Sequence, residues 1–230
     1  MNNLNIMEFK KLDEAGIKQL KLQVKGFDRV IEADFEEDAS IDYCLKAIGL
    51  KFLQKGYEYI LNVLGEDALL GMKNIVRIKK TGRHATEGVY INMNISDIEK
   101  AEREPSNQQN IELQQSLIVH EVLHHLVEEE HLPMFLEMIY MIEKGQSWRI
   151  ENIKSLFQNG RLGNPYIKGL RSISDWLGYL DIEKMLNDMP NIDISKLKAI
   201  FKMRYEEYCE EDPVLSQQIA GFKERIKLAA

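Results

Sequence analysis

The five residues His120-Glu121-Val122-Leu123-His124 carry the strongest chemical signal in the chain. On an α-helix each residue advances about 100°, so side chains four apart lie one turn apart and within about 40° of each other. Two imidazoles at that spacing can meet one tetrahedral ion, and two imidazoles with a carboxylate suit zinc. Glu121 lies beside the pair, where it can reach a water at the ion without ligating the ion itself. The ion lowers the pKa of that water and the carboxylate takes its proton. An accidental HExxH in a chain of this length has odds on the order of 1%. Four of the five histidines, His120, His124, His125 and His131, fall within twelve residues. Ile118, Val119, Val122, Leu123 and Leu126 make the rest of the segment apolar. A histidine pair on a buried helix needs partners, and a metal supplies them.

Over residues 74 to 144 or so the chain resembles the zincin metallopeptidases, on the strength of this motif and its surroundings. The resemblance implies a zinc-dependent peptidase, with peptide bonds cleaved by Glu-assisted attack of zinc-bound water. The partner it implies is a peptide or protein substrate. In zincins a strand at the sheet edge often runs near the motif helix and pairs with extended substrate. Gly88-Val89-Tyr90-Ile91-Asn92 is the counterpart here, and an ordinary interior strand is an equal reading of the same residues.

Zinc needs a third protein ligand. His131 lies seven residues after His124, a displacement of about 10 Å if the helix continues. Metzincins solve this with a glycine turn, HExxHxxGxxH, but Val127 stands where that glycine belongs and His131 comes one position late. Glu137 is the better candidate. It is the only charged residue between His131 and Glu143, and a carboxylate in so apolar a segment requires a partner or a metal. A tight turn at 131–133 folds this segment back along the motif helix, which resembles the Glu-zincin plan of a glutamate on a following helix. Glu128, Glu129 and Glu130 read as a solvated face, with Glu128 and Glu143 as minor alternatives for the ligand. The metal set is therefore His120, His124 and Glu137, with Glu121 as the base; zincins often add a Tyr or His that stabilises the oxyanion, and the resemblance implies Tyr166 in that catalytic role. Tyr140 and Tyr179 compete with Tyr166. His125, rotated about 100° off the metal face, reads as a neighbour of the site or a surface residue. His84 reads as an exposed loop residue.

These side chains need a scaffold. Leu20-Lys21-Leu22-Gln23-Val24 alternates with period two and Val30 to Phe35 resumes an extended pattern, which predicts a hairpin or two neighbouring strands. Helical spacing predicts a helix over 39–64, with Asp38 or Ser40 as cap and Gly65 as stop. Asn74–Ile78 and Gly88–Met93 read as two strands joined by a loop, as an antiparallel pair. The motif helix is expected over 110–130, a second helix from Pro133 to Lys144, and further helices at 149–158, 166–188, 194–209 and 213–228.

The chain has 230 residues, 44% apolar and 29% charged, with a net charge of −7, which fits a globular protein with a full core. Charges of both signs are interspersed, which argues against nucleic acid or an anionic membrane as partner. No apolar stretch has spanning length and the first residues carry no apolar leader, so the expected location is cytoplasmic. Cys44 and Cys209 read as buried thiols. The expected fold class is α+β: a small, mostly antiparallel sheet on the HExxH helix, then a predominantly helical C-terminal part. No linker divides the chain, so residues 1–230 read as one zincin-like domain, with a helix and sheet over 1–108, the site helices over 109–145 and a helical lobe over 146–230. Two rival functions remain: a zincin-like regulatory or binding protein with one dedicated partner, or a helical interaction protein with a chance motif.

Overall fold

A computed structural model of the chain describes residues 18–24, 27–35, 43–65, 68, 71–73, 75–82, 84–87, 90–104, 108–213, 216–217 and 220. Strands β1 (Lys18–Val24) and β2 (Phe27–Phe35) form the expected antiparallel hairpin, in register from Lys18↔Ala33 to Val24↔Phe27. Helix α1 (Tyr43–Leu64) follows; the proposed caps Asp38 and Ser40 lie outside the described residues. Next come β3 (Ile75–Lys80), β4 (Ala85–Glu87) and β5 (Tyr90–Met93).

The sheet order is β1-β2-β3-β5-β4. It is mixed rather than mostly antiparallel: β1–β2 and β4–β5 run antiparallel, β2–β3 and β3–β5 parallel. The segments read as an antiparallel pair, β3 and β5, are therefore parallel neighbours. The reason lies in the connection, which contains the return strand β4, so the chain has already reversed once before β5 begins. Val76 and Ile78 are buried while Ile75 and Arg77 are exposed, so one face of this strand meets the core. The strand nominated as the substrate edge, β5, lies inside the sheet, and the outermost strand beside the motif helix is β4.

An unpredicted helix, α2 (Ile95–Arg103), follows β5. The Asn94 side chain caps it by accepting from the Asp97 N–H at 3.2 Å, and Ile95, Ile98 and Ala101 are buried at helical spacing. The motif helix α3 spans Gln108–Leu123, ending seven residues before the expected Glu130. Helix α4 (His131–Glu143) is buried without interruption from Leu132 to Met141 and packs against α3 and three later helices. These are α5 (Trp148–Gln158), α6 (Asn164–Trp176) and α8 (Ile194–Glu211), with the short α7 (Ile182–Asp188) between the last two. The helix expected over 166–188 is two helices, because Gly178 takes a left-handed φ of 78° that ends the first. The helix expected over 213–228 lies mostly outside the described residues.

The fold is thus α+β and mainly helical, with a small mixed sheet. Helix α1 crosses α3 closely at Gly56. A Cβ there would meet Ile118 Cγ2 and Val122 Cγ2 at 3.3 Å, so the absent side chain lets the helices approach on both sides of His120 in sequence. No described helix is long and apolar enough to cross a membrane. Cys209 is buried, as expected, and the Cys44 side chain lies outside the described residues.

Candidate metal centre

The end of α3 builds the site. His125 N–H bonds to Val122 O at 3.0 Å and Leu126 N–H to Leu123 O at 2.8 Å, so the ladder tightens from i→i−4 to i→i−3 and stops. The chain then turns through 124–130 and starts α4, with Glu130 at its N-cap position. The Glu130 backbone O accepts from Met134 N at 3.1 Å, but its side chain caps nothing. It faces the two motif histidines instead.

Nε2 of His120 and Nε2 of His124 lie 3.2 Å apart. Glu130 Oε2 lies 3.4 Å from the first and 3.7 Å from the second. The other ring nitrogens are engaged elsewhere. His120 Nδ1 is 3.1 Å from Glu137 Oε2, and His124 Nδ1 is 3.3 Å from the Val127 carbonyl oxygen. Neither of these oxygens carries a hydrogen when Glu137 is ionised, so each Nδ1 is the donor. In the neutral rings both Nε2 atoms then present lone pairs to each other and to a carboxylate oxygen. Glu130 Oε2 is itself buried and makes no hydrogen bond. Three electron-rich atoms in contact, one of them orphaned, require a shared cation or proton.

A tetrahedral zinc with ligands at about 2.0–2.1 Å spaces those ligands about 3.3–3.4 Å apart. The observed 3.2, 3.4 and 3.7 Å separations lie near that edge length. Among the described residues, His120, His124 and Glu130 are the one such group whose ligand atoms all fall within 4.8 Å of one another, and they can hold a metal ion. Without an ion, a proton does the same work. Burial opposes charge on His120, but Glu130 and Glu137, with Glu121 behind them, outweigh it and hold the imidazole pKa up at about 10. The two imidazoles hold Glu130 well below the usual carboxylate range. Burial alone would raise Glu137, and His120 with Arg149 reverses that. The Arg149 Nε lies 3.5 Å from Glu137 Oε1.

Glu137, expected as the third ligand, therefore belongs to the other nitrogen of His120, and the carboxylate on the Nε2 side is Glu130. The sequence places Glu130 in a run that reads as solvated. A signal for it existed: the eleventh position of HExxHxxGxxH, counted from His120, is residue 130. A glutamate occupies it, and the turn forms with Val127 in place of glycine.

Glu121 is buried beside the pair, and Thr86 of β4 donates from Oγ1 toward Glu121 Oε2 and toward its backbone O, both at 2.8 Å. Tyr166 sits in the first turn of α6. The residue is 41% exposed. Partial burial, then the negative charges of Glu130, Glu137 and Glu121, raise its phenol above the ordinary value. Tyr140 and Tyr179 have other neighbours: Tyr140 donates to Glu112 Oε2 at 2.7 Å, and Asp188 is the charge beside Tyr179.

His84 is half-buried, not an exposed loop residue. Its Nε2 meets Gln114 Oε1 at 2.9 Å and its Nδ1 accepts from Asn94 N–H at 3.4 Å. His125 is a core residue, 4% exposed, with Nδ1 2.9 Å from the Tyr57 hydroxyl. Its surface reading fails because α3 is covered by α1 on that side as well. His131 pairs with Glu129 at 2.7 Å and stacks edge-on against Trp176. Glu143 is tied to Tyr59 and Lys198, at 2.8 and 2.7 Å, and Glu128 is exposed.

No family model, curated protein or solved structure matches the chain.

Proposed function

We propose that the chain is a zinc-dependent metallopeptidase of the zincin type, with His120, His124 and Glu130 as the protein ligands. The observation that supports it most is the convergence of both Nε2 atoms and Glu130 Oε2 while each Nδ1 is held by its own acceptor. That arrangement fixes ring orientation and tautomer, as metal-ligating histidines require.

When bound, zinc supplies Lewis acidity, which polarises a carbonyl oxygen and acidifies water. The protein's own groups do the rest. Glu121 takes a proton from water as the water oxygen attacks the carbonyl carbon. It then delivers that proton to the departing amine nitrogen as the C–N bond breaks. Tyr166 donates its hydroxyl hydrogen bond to the negative charge that develops on the carbonyl oxygen. Glu137 holds His120 through Nδ1 and is in turn held by Arg149. Its position in the buried α4 keeps the Glu137 carboxylate out of bulk water.

Metal analysis of the purified protein and hydrolysis of a generic peptide library by wild type and Glu121→Gln test this reading. The expected outcome is about one zinc per chain in both proteins and cleavage only by wild type. Zinc-free protein, or full activity in Glu121→Gln, overturns it. Zinc binding with no cleavage of generic peptides favours a dedicated partner over a general peptidase.

A further inference from the structure

We infer that Thr86 is a positioning residue for the base Glu121, an inference that rests on the function proposed above. At the end of α3 the carbonyl of Glu121 loses its helical donor, because His125 N–H bonds to Val122 O instead. The Thr86 hydroxyl, on β4, lies 2.8 Å from that carbonyl oxygen and 2.8 Å from Glu121 Oε2. A hydroxyl has one hydrogen to give, and an ionised carboxylate is the stronger acceptor. The second acceptor keeps the hydroxyl aimed at residue 121 whichever bond is made.

The consequence is directional. A glutamate side chain has three free torsions, and a donor on its own helix would leave its direction to that helix alone. Here the donor comes from a different element, the edge strand β4, and takes up one carboxylate oxygen. The remaining oxygen is left to handle the proton. Gly56 and the buried face of α3 fix the helix, while Thr86 fixes where on that helix the carboxylate points. A purely structural threonine would need only the backbone acceptor.

Two measurements separate these roles. In the metal-free protein, a double-mutant cycle on unfolding stability combines Thr86→Val with Glu121→Ala. If the hydroxyl acts on the carboxylate, the destabilisation by Thr86→Val shrinks in the Glu121→Ala background. Strict additivity overturns the inference and needs no enzymatic activity to be seen. In zinc-loaded protein, Thr86→Val is expected to lower kcat roughly 10- to 100-fold with KM and zinc content unchanged, and Thr86→Ser to restore it. An unchanged kcat in Thr86→Val overturns the inference while the peptidase reading stands. Absence of hydrolysis by wild type sinks the peptidase reading, and the stability cycle still decides whether Thr86 holds the carboxylate.

Discussion

Glu137 Oε2 lies 3.1 Å from Nδ1 of His120, on the ring nitrogen that faces away from the histidine pair's meeting point. A carboxylate there orients the imidazole and raises its basicity without touching the ion. The two buried glutamates therefore predict different phenotypes. Glu130→Ala should lose zinc altogether under dialysis, as should His120→Ala. Glu137→Gln should keep zinc with roughly 10- to 100-fold weaker affinity. Chelator competition reads both values, and the reverse order of severity would return Glu137 to the ligand set.

Zinc uptake should release a proton. His120 is held protonated up to about pH 10 in the metal-free protein, and it must be neutral to ligate. Calorimetry at pH 8 in two buffers of different ionisation enthalpy should report about one proton released per chain. The same raised pKa stabilises the metal-free fold. That contribution is fully present below the ordinary histidine value of 6.5 and fades as pH rises toward about 10. Zinc-loaded protein should not show this alkaline loss.

His125 acts in the opposite direction. Burial, then the charges of Lys73 and His124, push its pKa down to about 3 from an ordinary 6.5. Between those values the unfolded chain binds a proton that the folded chain refuses. The stabilisation is present above pH 6.5 and is lost as pH falls toward 3. In His125→Gln the dependence of unfolding free energy on pH should flatten by up to roughly 1.4 kcal/mol per pH unit in this window. Denaturant titrations between pH 6.5 and 5, above the carboxylate range, isolate it from Glu130 and Glu137.

Gly56→Val should destabilise the protein by about 1–3 kcal/mol, read by denaturant unfolding. Its Cβ alone would already stand 3.3 Å from Ile118 and Val122, and the γ-methyls reach further. Because those contacts bracket His120 and Glu121 in sequence, zinc affinity should fall together with stability. Unaltered affinity would mean the site is insulated from helix packing.

Tyr166→Phe should leave zinc content and fold unchanged and lower kcat roughly 10²- to 10³-fold, the loss typical of a removed oxyanion donor. Steady-state kinetics on a cleaved peptide decide it. An unchanged kcat would assign that role to another group.

What could be read from the sequence depended on whether the signal was local. The hairpin β1–β2 and the long helix α1 follow from periodicity within a single segment. The sheet order does not, because Ala85-Thr86-Glu87 is too short and polar to stand out, yet it decides that β3 and β5 are parallel. The oddity of a charge in the middle of α4 pointed to the neighbourhood of Glu137. It did not indicate which nitrogen of His120 the carboxylate meets, since that depends on how α4 rotates against α3. Glu130 carried no local mark within Glu128-Glu129-Glu130, and only a count along the metzincin pattern reaches it. Helix α2 is missing from the sequence expectations, although the Asn94 cap and the apolar spacing of Ile95, Ile98 and Ala101 mark it.

The stretch between the two site helices, residues 124–130, has a thermodynamic consequence of its own. An ion at the proposed site would grip it at both ends, through His124 and Glu130. Closing so short a loop sacrifices little chain entropy, because that term grows only with the logarithm of length. Most of the free energy of an ion bound across it therefore goes into resisting local opening. Amide hydrogens in this segment should exchange more slowly as free zinc rises, in proportion to site occupancy, while those of distant α8 keep their own rate. The lifetime of this segment would then be set by metal supply, and that of its neighbours by packing.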